Sequence, residues 1–185
     1  ETITVTGSAS GGDIAEGDTV AMTINGEDYT TTVDENGEWS VDVAGSDLAA
    51  DTEFEVVVSS SDDAGNTVDS TATSTHTVDQ TADAGTVSVN NITSDDVINA
   101  QEAGETITVT GSASGGDIAE GDTVAMTING EDYTTTVDEN GEWSVDVAGS
   151  DLAADTEFEV VVSSSDDAGN TVDSTATSTH TVDQT

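Results

Sequence analysis

Residues 122–137 read DTVAMTINGEDYTTTV, and this stretch decides the fold. Val124, Met126 and Ile128 alternate with Thr and Ala, and Tyr133, Thr135 and Val137 alternate with Asp and Thr. Successive side chains of a strand point to opposite faces, so a period of two marks a half-buried β-strand. Asn129-Gly130 lies between the two runs. Both residue types tolerate positive φ, which makes the pair a strong signal for a tight hairpin. The stretch therefore predicts two antiparallel strands, Asp122–Asn129 and Asp132–Val137.

Working outward, the same alternation predicts five more strands. The first strand spans about Gly85–Ile92. The second is Glu105–Gly111, with Ile107 and Val109 on one face, and the hairpin supplies the third and fourth. The fifth is Glu142–Val147, with Trp143, Val145 and Val147 inward. The sixth is Glu157–Ser163, with Phe158, Val160 and Val162 inward. The seventh is Thr171–Val182, with Val172, Ala176, His180 and Val182 on one face. Asp138–Gly141 and Asp166–Asn170 are turn clusters, and Ser150–Ala154 has room for one turn of helix. Seven short strands at this spacing predict an all-β, immunoglobulin-like sandwich.

Residues 1–81 recur at 105–185 without a difference, which sets a period of 104 residues. A unit of that size suits one small domain. The chain thus reads as tandem sandwich domains joined by a short linker. Residues 1–80 form a partial unit lacking its first strand, and residues 81–185 form a complete one. Residue 1 is expected not to be a natural start. The partial unit is expected to be less stable, unless the chain is simply cut out of phase with the repeat. Identical neighbours add little to an enzyme, whereas a spacer lengthens with each copy.

The chain has 40 Asp and Glu and no Lys or Arg, for a formal charge of −40. No carboxylate can find a basic side-chain partner. Two carboxylates about 4 Å apart repel by roughly 4 kcal/mol at an effective dielectric near 20, and such repulsion opposes a compact state. Screening by salt is one answer and Ca2+ coordination by clustered oxygens is another. The complete absence of basic residues favours Ca2+. Nucleic acid and anionic membranes need basic patches and are not expected partners. The chain has no Cys and no Pro, so a metal would have to serve as the staple that disulfides often provide outside the cell. No apolar run approaches the roughly 20 residues of a membrane span.

Alternating strand direction places the second-to-third loop and the fourth-to-fifth and sixth-to-seventh turns at the end where the first strand enters. In a linear array this end faces the exit of the preceding unit. A candidate metal centre at that junction draws Asp47 and Asp51 from the first unit and Asp79 and Asp83 from the linker. The second unit adds Asp117, Glu120, Asp122, Asp166, Asp167 and Asn170. A second candidate is the loop Thr93–Gly104, where Asp95, Asp96, Asn99 and Glu102 fall within eight residues. The plainer reading of that loop is an acidic surface segment with an Asx-turn.

Other signals are weaker. Asp34-Glu-Asn-Gly-Glu38 imitates the opening of an EF-hand loop but lacks the rest of its frame, and a tight turn explains it better. His76 and His180 have inward parity and read as packed histidines. Asn91-Ile-Thr93 fits a glycosylation sequon but lacks a secretory context. One His per unit and no nucleophile elbow argue against a catalytic triad, and no enzymatic activity is expected. Thr175, Thr177, Thr179 and Thr181 make a single Thr row, too narrow for a flat ice-binding array.

The opening Asp95-Asp-Val-Ile-Asn-Ala-Gln-Glu102 with Thr106-Ile-Thr-Val-Thr-Gly111 resembles that of bacterial immunoglobulin-like adhesin repeats. So do the turn before Trp143, the Asp167-Ala-Gly-Asn-Thr171 signature and the closing Thr181-Val-Asp-Gln-Thr185. The family's closing motif usually ends in Ala-Pro, and this chain has no Pro. An identical 104-residue repeat without Lys or Arg is similar, more particularly, to the extender regions of giant ice-binding RTX adhesins. The resemblance implies a Ca2+-dependent structural extender, outside the cell on a bacterial surface, that projects a distal ligand-binding domain. Its partners would be neighbouring repeats of the same chain, with the chain itself monomeric. A Ca2+-bridged homotypic adhesion module is the alternative.

Overall fold

The computed structural model describes residues 1–185. The chain divides into two compact units, Glu1–Val78 and Asp79–Thr185. No helix is long and apolar enough to cross a membrane.

Unit 1 contains β1 (Thr2–Ser8), β2 (Thr19–Ile24), β3 (Glu27–Thr32), β4 (Glu38–Ala44), a short helix α1 (Gly45–Ala50), β5 (Glu53–Ser61) and β6 (Thr67–Thr75). Two layers result: an antiparallel pair β1-β4, and a four-stranded sheet in the order β3-β2-β5-β6. Val20, Met22, Ile24, Val43, Phe54, Val56 and Val58 fill the space between them. These are the alternate positions of their strands, which is why the period-two pattern produces a two-layer core.

Unit 2 adds two strands before the shared pattern, β7 (Thr86–Val89) and β8 (Val97–Asn99). A single 3-10 turn at Glu102–Gly104 follows. The remainder is β9 (Thr106–Ser114), β10 (Thr123–Ile128), β11 (Glu131–Thr136), β12 (Glu142–Ala148), α2 (Gly149–Ala154), β13 (Glu157–Ser165), β14 (Thr171–Thr179) and β15 (Thr181–Asp183). One sheet runs β12-β9-β7 and the facing one β11-β10-β13-β14. The β10–β11 hairpin keeps its two strands in one sheet. Asn129 and Gly130 take φ of 53° and 83°, the left-handed geometry that a two-residue hairpin needs. The chain changes sheet at the next turn, Asp138–Gly141.

Two strand assignments from sequence are corrected. The expected first strand, Gly85–Ile92, is shorter and is followed by a second piece in the other layer. Thr86–Val89 pairs antiparallel with β9, whereas β8, within the predicted loop Thr93–Gly104, pairs parallel with β15. Ile98 anchors this second piece and is fully buried. A sharp bend separates the pieces, and Asp96 lies in it with φ 60°. The expected seventh strand is also divided, at His180. The His180 N–H still bonds the Thr156 carbonyl of the β13 side, but the Thr181 N–H turns to Asp96 O of the β8 side. That change of partner ends β14 and starts β15.

The two units share their sequence but not their burial. Trp143 is 3% exposed, whereas Trp39 is only partly buried against its core. Val109 is fully buried and its counterpart Val5 is not. Unit 1 has no strands equivalent to β7 and β8, and the residues that those strands cover in unit 2 are the ones left open in unit 1.

Candidate functional site

In unit 2 the entry of the first strand gathers several of the predicted acids. The Asp83 N–H donates to Asp117 Oδ2 at 2.6 Å, and the Asp117 N–H donates back to the Asp83 carbonyl at 2.9 Å. This reciprocal pair fastens the linker to the β9–β10 loop. Gly116 (φ 57°) lies against Asp83 and Ala84, where a Cβ would come within 2.3 Å of the Asp83 carbonyl oxygen; only glycine permits that approach. Asn170 Nδ2 donates to the Asp79 carbonyl at 3.1 Å and to Asp166 Oδ2 at 2.7 Å, so the β13–β14 turn holds the same linker. Asp122 accepts from the Ala119 N–H at 2.8 Å. Asp83, Glu120 and Asp167 are exposed to solvent.

The second predicted group, near β8, is folded around its own backbone. Asn99 Oδ1 accepts from the Glu102 N–H at 3.0 Å, and Glu102 Oε2 accepts from the Asn99 N–H at 3.0 Å. This is a capping box, which satisfies two orphan donors of the following turn. Asp95 accepts from Thr93 Oγ1 at 3.0 Å, and Asp96 Oδ1 from the Ile92 N–H at 2.9 Å. Each of the four thus has a local structural partner.

Asp47 and Asp51 of unit 1, with their counterparts Asp151 and Asp155 in unit 2, form a network that the sequence did not suggest. Tyr133 Oη donates to Asp151 Oδ2 at 2.5 Å, and Asn129 Nδ2 donates to Asp151 Oδ1 at 3.1 Å. The Asn129 N–H donates to Asp155 Oδ2 at 2.9 Å. Tyr29, Asn25, Asp47 and Asp51 repeat these bonds in unit 1. The network ties the hairpin turn to the loop after the short helix. Tyr donates to both Asp47 and Asp151, which holds their carboxyls below the ordinary range, with Asn adding to the effect. The same bond raises both tyrosine hydroxyls.

The Asn170 amide lowers the Asp166 carboxyl likewise. The backbone N–H groups of Glu142 and Asn140 lower Asp138. Asp34 is held the same way in unit 1 by Glu38 and Asn36, so the EF-hand-like stretch is a turn. His180 Nε2 lies 2.7 Å from the Leu152 carbonyl. A carbonyl only accepts, so Nε2 carries the proton and the ring serves as a core strut to α2.

No three Asp, Glu or His side chains converge on one point. The donor set still suits a hard cation in its chemistry. It consists of carboxylates, amide and backbone carbonyl oxygens, with no thiol, and its ionised Asp side chains have no basic partner.

Two layers with a first strand divided between them, and acid-rich loops at both ends, define an immunoglobulin-like sandwich. Solved structures place it further. A domain from the M. primoryensis ice-binding adhesin, described as a bacterial immunoglobulin-like domain, is 76% identical. The match covers all of that domain and 55% of this chain, with a TM-score of 0.55. A Ca2+-stabilised adhesin that helps an Antarctic bacterium reach out and bind ice is 75% identical over 100% of this chain, with a TM-score of 0.93. A 1.5-MDa bacterial ice-binding adhesin, studied for host cell surface retention, is 68% identical over the whole chain, with a TM-score of 0.95. This chain spans 44% and 58% of the lengths of those two. No family model and no curated protein matches. The chain belongs to the bacterial immunoglobulin-like domains of ice-binding adhesins.

Proposed function

We propose that this chain is a Ca2+-dependent extender segment of a large bacterial surface adhesin, lying outside the cell and setting the reach of a distal binding domain. Identity of 75% over the whole chain to a Ca2+-stabilised adhesin carries the reading. Its role is mechanical and not enzymatic, and its working partners are neighbouring repeats of its own chain.

When bound, Ca2+ supplies the positive charge that this sequence lacks. Asp79, Asp83, Asp117, Glu120, Asp122, Asp166, Asp167 and Asn170 are the proposed ligands at the first-strand end of unit 2. Asp95, Asp96, Asn99 and Glu102 form a second proposed group within unit 2. The Asp83–Asp117 and Asn170–Asp79 bonds support the first assignment, because they already hold the linker backbone beside these acids. A ligand bound only by the folded state and held at about 100 times its Kd adds about 2.7 kcal/mol, a sizeable fraction of a small domain's stability. Strands of nine residues in β13 and β14 rise about 3.3 Å per residue, or roughly 30 Å per strand, so each added unit lengthens the array by nanometres.

Small-angle X-ray scattering tests this reading. The profile should become that of an elongated rod with Ca2+ and lose that form in EDTA, with Mg2+ unable to substitute. Identical profiles in Ca2+ and EDTA would sink it.

A further inference from the structure

The sandwich of unit 2 is closed on one side and open on the other. On the closed side β7 lies beside β14, and the strands that follow them, β8 and β15, pair with each other. On the open side β12 ends one sheet and β11 ends the other. The Ala113 N–H bonds the Gly141 carbonyl just before β12, and the Gly149 N–H bonds the Glu105 carbonyl just after it. Antiparallel pairing alternates along a strand, so the odd-numbered residues of β12 bond β9 and the even-numbered ones turn their N–H and C=O groups outward. The outward N–H groups at the ends of β12 have partners within the unit. Glu142 donates to Asp138 Oδ1 at 2.8 Å, and Ala148 to Tyr133 Oη at 3.4 Å. Ser144 and Asp146, between them, form an unpaired edge. A groove of about 380 Å3 opens on this side, lined by Thr135, Thr136, Asp138, Glu142, Trp143 and Ser144 among others. Unit 1 repeats the arrangement in β3 and β4, with Glu38 and Ala44 bonded to Asp34 and Tyr29 and with Ser40 and Asp42 at the edge.

Natural sheets protect such edges with Lys, Pro, a bulge or a cover. This chain has no Lys and no Pro, and β12 pairs with β9 from Glu142–Ser112 to Ala148–Thr106 without a bulge. Negative charge is the protection that is left. Glu142 and Asp146 are exposed on β12, and Glu131 and Asp132 on β11. An edge of this kind repels another copy of a chain whose formal charge is −40. The same charge complements a strand that carries Lys or Arg, since opposite charges on facing cross-strand positions attract and like charges repel. Unpaired edges accept extended segments, with backbone bonds giving affinity and alternate side chains giving specificity. The inward neighbour of such a segment is Val145, which is half-buried against the core, so its alternate positions need to be apolar.

We propose that the β12 edge of unit 2, with the identical β4 edge of unit 1, is a docking surface for an extended basic segment of a partner polypeptide. The segment pairs its backbone with Ser144 and Asp146. Its Lys or Arg side chains lie outward beside Glu142 and Asp146, and its apolar side chains lie inward against Val145.

Calorimetry in Ca2+ tests this with the synthetic peptide Lys-Val-Lys-Val-Lys-Val-Lys. Saturation is expected at one peptide per unit, and hydrogen exchange at the Ser144 and Asp146 amides should slow on binding. Asp146→Lys should remove the unit 2 site and halve the stoichiometry. Reversing one of 40 acidic side chains is too small a change to halve a purely ionic uptake. Ser144→Pro deletes an outward N–H at an edge position, where proline is tolerated, and should have the same effect with an unchanged circular dichroism spectrum. The block peptide Lys-Lys-Lys-Lys-Val-Val-Val has the same charge without the alternation and should bind far more weakly. Absence of saturable binding, equal binding of the block peptide, or undiminished stoichiometry in both variants overturns the proposal.

Discussion

Ile98→Ala should destabilise unit 2 and leave unit 1 unchanged. Ile98 is fully buried. It pairs with Val182 in the parallel β8–β15 ladder and belongs to the same core as Leu152 and Trp143. Truncation removes three carbon groups, worth about 2.4 kcal/mol at about 0.8 kcal/mol each. A residual cavity raises the cost towards the roughly 2–5 kcal/mol seen for such changes. At roughly 4–8 °C per kcal/mol for a domain of this size, the midpoint should fall by roughly 10–40 °C. Ile98 lies outside unit 1, which therefore acts as an internal reference of nearly the same sequence. Differential scanning calorimetry in Ca2+ should show one transition moving down while the other stays in place. A shift of a degree or two would mean that β8 contributes little to the core. Equal movement of both transitions would refute the assignment of Ile98 to unit 2 alone.

Two further predictions concern turns and charge. Gly130→Ala should cost about 1–2 kcal/mol, since φ at this position is 83° and an L side chain resists the left-handed region; urea unfolding checks this. Asp138, Asp151 and Asp166 have folded pKa values below those of the unfolded chain. Their stabilising effect is therefore present above the unfolded carboxyl value, near 3.9, and is lost as pH falls through the lower folded values. Carboxyl 13C shifts followed by NMR should show these three titrating below the ordinary range, and ordinary midpoints would contradict the hydrogen-bonded geometry.

Much of the fold was legible because one face of each strand is buried. Val124, Met126 and Ile128 alternate without interruption, and Asn129-Gly130 fixes their hairpin. The divided first strand was not legible, because Val97 and Ile98 are only two apolar residues among Asp95, Asp96, Asn99 and Glu102. Their strand character comes from β15, 84 residues away in register, and no local pattern reports such a partner. The contrast between Trp39 and Trp143 lies outside any local reading, since the surrounding sequence is identical and only tertiary cover differs. At the candidate site, Asp83 and Asn170 hydrogen-bond the linker to its neighbouring loops, bonds that acid density in the sequence does not specify. Asn99 and Glu102 carried a second signal, the Asn-x-x-Glu spacing of a capping box, which accounts for their hydrogen bonds without metal. The Tyr133–Asp151 bond joins a residue of β11 to one of the short helix α2, 18 residues on, and gave no signal in either.

Thermal melting followed by circular dichroism, in EDTA and then across a Ca2+ titration with Mg2+ as control, tests the central claim most directly. The account predicts a poorly ordered chain in EDTA that becomes β-rich and melts progressively higher as Ca2+ is added, with Mg2+ unable to reproduce the effect. A chain that is already β-rich in EDTA, with a midpoint indifferent to Ca2+, would contradict it and leave an acidic spacer that stands without metal.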